Sequence, residues 1–144
     1  RYDDMYLPSR FLDDGLLEHL CYYLDVSGSV SLDQIKRFNS ELKYIQDELK
    51  PAKLTAIQFS DSITSIKEFE VDDAFDSVKV IGRGGTSWEP VLRDIEERRP
   101  TCAVIFTDLE FYDPLTPPSL DIPIIWIITG SKSVPPFGEY LHID

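Results

Sequence analysis

The sequence predicts an α/β fold: a doubly wound, mostly parallel sheet flanked by helices, with one antiparallel edge strand and reduced helix cover on one face. Three observations carry this expectation. Residues 19–24 (HLCYYL), 101–106 (TCAVIF) and 122–129 (IPIIWIIT) are near-continuous apolar runs, as strands buried on both faces read. Amphipathic stretches stand between such runs. Strands alternating with helices imply right-handed crossovers and hence parallel neighbours. At 144 residues with 42% hydrophobic content, the chain suits one domain with a core of its own.

Each element has its own justification. Residues 1–18 mix charge with Pro8 and Gly15 and read as a lead-in segment packed on the domain proper, residues 19–144. Because residue 1 is Arg, the chain is expected to be a piece of something longer. The first strand, 19–24, runs into Asp25. Ser31 can then cap a helix, and Gln34 three residues on completes a capping box. Ile35, Phe38, Leu42, Ile45 and Leu49 follow at spacings of three and four, with Lys36, Glu41, Lys43 and Asp47 on other faces. Pro51 ends that helix. Residues 53–59 form a second strand and Ser60–Asp61–Ser62 a turn. Residues 63–71 alternate weakly and are polar, which marks an edge strand antiparallel to its predecessor. Residues 72–81 fit a turn of helix followed by a short strand.

A glycine-rich loop at 82–85 precedes a helix over 88–98, with Val91, Leu92 and Ile95 on one side and Pro90 in the first turn. Beyond the strand at 101–106, Pro114, Pro117 and Pro118 deny residues 108–121 a helix, so one face of the sheet is thinly covered. Residues 138–143 supply a short last strand. Trp88 and Trp126 read as core, and His19 and His142 as hydrogen-bonded structural residues.

Charge excludes some functions. The 14 basic and 26 acidic residues give a net charge of −12, which repels a phosphate backbone and an anionic bilayer. Nucleic acid and membrane are therefore not expected partners, and no apolar run reaches the ~20 residues of a spanning helix. Cys21 and Cys102 each sit in an apolar run and read as reduced, buried thiols of a cytoplasmic protein.

In doubly wound sheets ligands bind beyond the carboxyl ends of the strands. That rule points to Asp25, to the 82–87 loop and to Asp108. Asp25, Ser27 and Ser29 are alternate oxygen donors, and Gly28 permits the turn that lets them converge. Thr86 follows three glycines, Gly82, Gly84 and Gly85. Asp108 ends the run Phe106–Thr107–Asp108. Oxygen-only donors with few charges suit Mg²⁺ or Mn²⁺. Zn²⁺ fits poorly, because the two histidines lie elsewhere. Each group also has a plainer reading: an Asx-type turn capping the helix for Asp25, Ser27 and Ser29, and a helix N-cap for Thr86.

D-x-S-x-S after the first strand, G-G-T in a loop and T-D after a later strand resemble the metal-ion-dependent adhesion site of von Willebrand factor A domains, which are Rossmann-type α/β folds. More narrowly, DVSGSVS, GRGGTSWEP, VIFTD, IPIIWIIT and PPFGEYLHI resemble the C-terminal A-like domain of a bacterial and phage family that carries an HExxH-type metallopeptidase domain upstream. The similarity covers residues 19–143. The resemblance implies that Ser27 and Ser29 bind the metal directly. It implies that Thr86 moves between direct and water-mediated contact, and that Asp25 and Asp108 hold the ion largely through water. It further implies an open position for an acidic side chain, from a protein partner or the chain's own upstream domain, and a module that is not itself an enzyme.

Two positions depart from the pattern: Leu109 stands where a glycine is usual, and Glu110, read as facing solvent, follows it. Two other readings remain beside this one. One is an A-like structural domain without metal. The other is a Mg²⁺-dependent phosphotransfer enzyme with Asp25 as nucleophile, although the second acid such enzymes want two residues on is Ser27 here.

Overall fold

A sheet whose central strands are apolar on both sides needs cover on both sides, and the described residues supply it with two α-helices and a long loop. The computed structural model describes residues 18–26, 31–74, 77, 79 and 84–143. In chain order these form β1 (His19–Asp25), α1 (Leu32–Tyr44), β2 (Lys53–Phe59), β3 (Ile63–Glu70), α2 (Glu89–Arg98), β4 (Cys102–Thr107), β5 (Ile124–Thr129) and β6 (Glu139–Ile143). The sheet order is β3-β2-β1-β4-β5-β6. All neighbours are parallel except β3, which pairs antiparallel with β2 at the edge. The predicted architecture is thus the observed one. The chain winds outward from β1 in both directions, so the topological switch lies between β1 and β4.

The capping box forms as expected. The Gln34 amide donates to Ser31 Oγ at 3.1 Å, and the Ser31 amide donates to Gln34 Oε1 at 2.9 Å. Phe38, Leu42 and Ile45 turn inward beneath α1. Glu41 does not lie on an outer face as its charge suggested. It is only 3% exposed and accepts the Tyr22 hydroxyl at 2.6 Å. The reason is geometric: 38, 41, 42 and 45 share one helical face, and a buried tyrosine on β1 needs an acceptor there. The helix closes in a π-helical turn, Ile45–Leu49, and Lys50 adopts left-handed backbone before Pro51.

Two apolar layers sandwich the sheet. Under α1 lie Leu20, Tyr22, Leu24, Leu54, Val104 and Ile127. On the other side Cys21, Tyr23, Ile57, Ile105, Trp126 and Ile128 meet Val91 and Ile95 of α2. Tyr23 anchors that helix by donating to Asp94 at 2.7 Å, and Arg98 braces the same carboxylate. The thin cover predicted for one face is made good by residues 108–123, which stay non-helical. Phe111, Leu115 and Ile122 pack on the α2 side. The indole N–H of Trp88 donates to the Thr116 carbonyl, and that of Trp126 to the Phe137 carbonyl, each at 2.8 Å.

Both cysteines are free and buried, and burial pushes each thiol up to about 12. They face opposite layers. Of the lead-in 1–18 only Glu18 is described. The strand expected in the second half of 72–81 lies largely outside the described residues. Among the described residues no helix is long and apolar enough to cross a membrane.

Candidate metal centre

β1 delivers Asp25 to the carboxyl edge of the sheet at the switch point. One residue beyond the last registered β1–β4 pair, Leu24 with Phe106, Asp25 stands beside Thr107. Thr107 donates its hydroxyl to Asp25 Oδ2 at 2.7 Å, and its oxygen accepts the Leu109 amide at 3.1 Å. Thr86 reaches the other carboxylate oxygen, Oδ1, at 3.4 Å. That separation is long for an O–H···O bond, so the pair is loosely joined. Both threonines are buried, and Asp25 is half-buried.

Asp108 follows Thr107 directly. Its Oδ1 accepts the Glu110 amide at 3.0 Å, an Asx-type turn that folds the chain back over the rim. Leu109 has φ of 70°, in the left-handed region. The conformation that glycine takes freely is thus kept at this position, with a side chain that packs half-buried on the α2-side core. Holding it there costs a leucine roughly 1–2 kcal/mol. Glu110 is exposed, as expected.

In the Thr86 loop the backbone at Gly84 favours glycine. Gly84 has φ of 97°, and a Cβ there would stand 3.7 Å from Asp61 Oδ2. A Cβ at Gly85 would meet the ring of Tyr112 at 3.0 and 3.3 Å. Thr86 does not cap α2. Asp113 does so from a distant part of the chain: Oδ1 accepts the Trp88 amide at 2.7 Å, and Oδ2 accepts the Glu89 amide at 3.0 Å and the Ser87 hydroxyl at 2.9 Å. Burial pushes the Asp113 carboxyl up, but those donors together outweigh it and hold the group below its ordinary value.

The structure therefore brings Asp25 and Thr86 together and sets Asp108 on the adjoining strand end. Ser27 and Ser29 lie outside the described residues. Among the described residues no group of three or more His, Cys, Asp or Glu side chains is arranged to hold a metal ion. A hydroxyl-rich site does not require such a group. The donors at this rim are all oxygens, which fits a hard cation such as Mg²⁺ or Mn²⁺. His19 and His142 are engaged elsewhere, with Thr55 Oγ1 and the Ser133 carbonyl, each at 2.7 Å.

Sequence reasoning missed two residues. Thr107 sat in the quoted T-D pair without a role, although its place at the end of a strand next to β1 was a signal for one. Asp113 left no local signal, because its partners are about two dozen residues back along the chain.

A switch-point rim on a sheet of this order, flanked by helices, is a Rossmann-type α/β arrangement, here with an antiparallel edge strand. Residues 20–144 match the family described as VWA-like domain (DUF2201), and the chain belongs to that family. Among solved structures it is similar to the ArnB paralog VWA2 from Sulfolobus acidocaldarius, at 19% identity and a TM-score of 0.63. That match covers 86% of this chain and 36% of the Sulfolobus chain, and it bears on the fold alone. No curated protein matches the sequence.

Proposed function

We propose that this domain is a non-catalytic protein-interaction module that docks its partner through a Mg²⁺ or Mn²⁺ ion of the adhesion-site type. The observation that supports this best is the approach of the Thr86 hydroxyl to Asp25 at the switch-point rim, in a chain of the VWA-like family. In this reading Ser27, Ser29 and Thr86 offer neutral oxygens, and Asp25 and Asp108 carry the negative charge. A cation held mainly by neutral groups keeps much of its charge for an external ligand. That ligand is an acidic side chain, from a protein partner or from the chain's own upstream domain.

The non-catalytic reading draws support from the state of the nucleophiles: Cys21 and Cys102 are buried with thiols pushed up to about 12, the reverse of activation. Two unpaired buried thiols favour a cytoplasmic protein. The tail PPFGEYLHI favours an upstream HExxH metallopeptidase domain in the full polypeptide, and the sequence preceding Arg1 tests that link.

Mn²⁺ titration of the wild type and of Ser27→Ala/Asp108→Ala tests the metal. Saturable binding by the wild type, lost in the double variant, is the expected result; no binding by the wild type overturns it. One observation favours a second reading, a structural rim without metal: Asp25 already accepts a 2.7 Å bond from Thr107. On that reading Mn²⁺ leaves the unfolding midpoint unmoved. On the first, Mn²⁺ at about a hundred times its Kd stabilises the fold by about 2.7 kcal/mol.

A further inference from the structure

An ordinary helix N-cap is local, and α2 has local candidates in Thr86 and Ser87. The chain instead reaches 25 residues forward to Asp113. What this distant choice accomplishes is visible in its neighbours. The segment that ends in Asp113 begins with Asp108, the second carboxylate of the metal centre. The segment it grips begins just after Thr86, the hydroxyl of that centre. Asp113 receives the Ser87 hydroxyl and the amides of Trp88 and Glu89. One residue earlier, the Tyr112 amide donates to the Thr86 carbonyl at 3.0 Å, and the Tyr112 ring lies against Gly85. Four hydrogen bonds thus join residues 112–113 to residues 86–89. The Ser87 amide is held from a third side by the Ser60 carbonyl at 2.9 Å.

We propose that Asp113 is a positioning residue of the metal centre: it locks the Thr86 segment to the Asp108 segment, so that hydroxyl and carboxylate meet the ion in one register. This rests on the metal reading above. Asp113 does not touch the ion, since both its oxygens are occupied by α2 and Ser87. It acts as groups behind metal ligands do, by fixing the orientation of those in front. Leu109 suits the same design. Its left-handed backbone starts the turn that carries the chain from Asp108 toward Asp113.

A matched control exists in the same loop. Glu96 of α2 accepts the Ser119 amide and hydroxyl at 2.9 and 3.0 Å, fastening the far end of the loop with the same chemistry. The test is Mn²⁺ affinity of the full chain, measured well below the unfolding midpoint, for wild type, Asp113→Ala, Asp113→Asn and Glu96→Ala. Asp113→Ala is expected to weaken Mn²⁺ binding by ~10–100-fold, the usual effect of losing a group behind a ligand. Asp113→Asn, which keeps one acceptor oxygen, falls between it and wild type. Glu96→Ala stays within about twofold of wild type.

Amide exchange supplies the second readout: Asp113→Ala speeds exchange at Ser87 and Tyr112, and Glu96→Ala does not. Wild-type binding with Asp113→Ala unchanged overturns the positioning role alone. Equal weakening by Asp113→Ala and Glu96→Ala overturns it too, by reducing it to general loosening of the loop. No Mn²⁺ binding by the wild type overturns the metal reading and the positioning role together.

Discussion

Tyr22 buries its hydroxyl beneath α1, and Glu41 accepts it, at the expense of a carboxyl group taken out of water. Burial pushes Glu41 up to about 7, against the opposing pull of the Tyr22 hydrogen bond and of Arg37. The folded chain therefore keeps a proton that the unfolded chain releases near the ordinary glutamate value. The resulting stability is full below about pH 4.5, falls as pH rises toward 7, and is constant above that. The total change is on the order of 3 kcal/mol. Glu41→Gln keeps an acceptor for Tyr22 and removes the titration. Its urea unfolding curves at about pH 5 and about pH 8 are expected to lie closer together than those of the wild type, with the gain at the higher pH. Leu109 illustrates the same economy at the backbone. A conformation suited to glycine is held by a leucine whose side chain returns part of the cost through the α2-side core.

Helix ends give the predictions that belong to elements. α2 closes on Arg99, which is exposed and has φ of 51°. Arg99→Gly removes the strain of a left-handed non-glycine residue, and thermal unfolding is expected to register a gain of about 0.5–1 kcal/mol. At the other end Asp113→Ala strips α2 of its cap and costs about 1–2 kcal/mol at neutral pH, measured by urea unfolding. Because the Asp113 carboxyl is held below its ordinary value, that contribution is present above the unfolded aspartate value and is lost as pH falls through the lower, folded one.

The elements differ in how plainly the sequence announced them. β1 and β5 were legible because both faces are buried and the runs Leu20–Leu24 and Ile124–Ile128 are apolar or aromatic throughout. α1 was legible because Ser31, Gln34 and the Phe38–Leu42–Ile45 stripe are local signals. Glu41 was not, since its partner sits on another element and a charged letter reads as surface. Residues 108–121 were legible as non-helical from their prolines. That two indole N–H groups pin this stretch and its neighbour to the core was not, because each bond joins residues far apart in sequence. Of the candidate rim, the placing of Asp25, Thr86 and Asp108 at the carboxyl ends of neighbouring elements could be read from motif order. Thr107 and Asp113 depend on which strand lies beside β1 and which loop lies over α2, and only topology supplies that.

For the molecule as a whole, the net charge of −12 is a self-repelling field. The ion pairs among exposed side chains, such as Lys43 with Asp47, are too weak to offset it. Raising KCl from about 10 mM to about 200 mM shortens the screening length and is expected to raise the unfolding midpoint. A midpoint that falls instead assigns more weight to the surface pairs than to the net charge. The sheet order has a consequence in time. Asp25 and Thr107 lie 82 residues apart, and their strands are neighbours at the centre of the sheet. Closing so large a loop is slow, whereas the β2–β3 hairpin closes locally. The rim can therefore assemble only once both halves of the chain have emerged and docked, so a nascent or broken chain leaves Asp25 without Thr107 beside it.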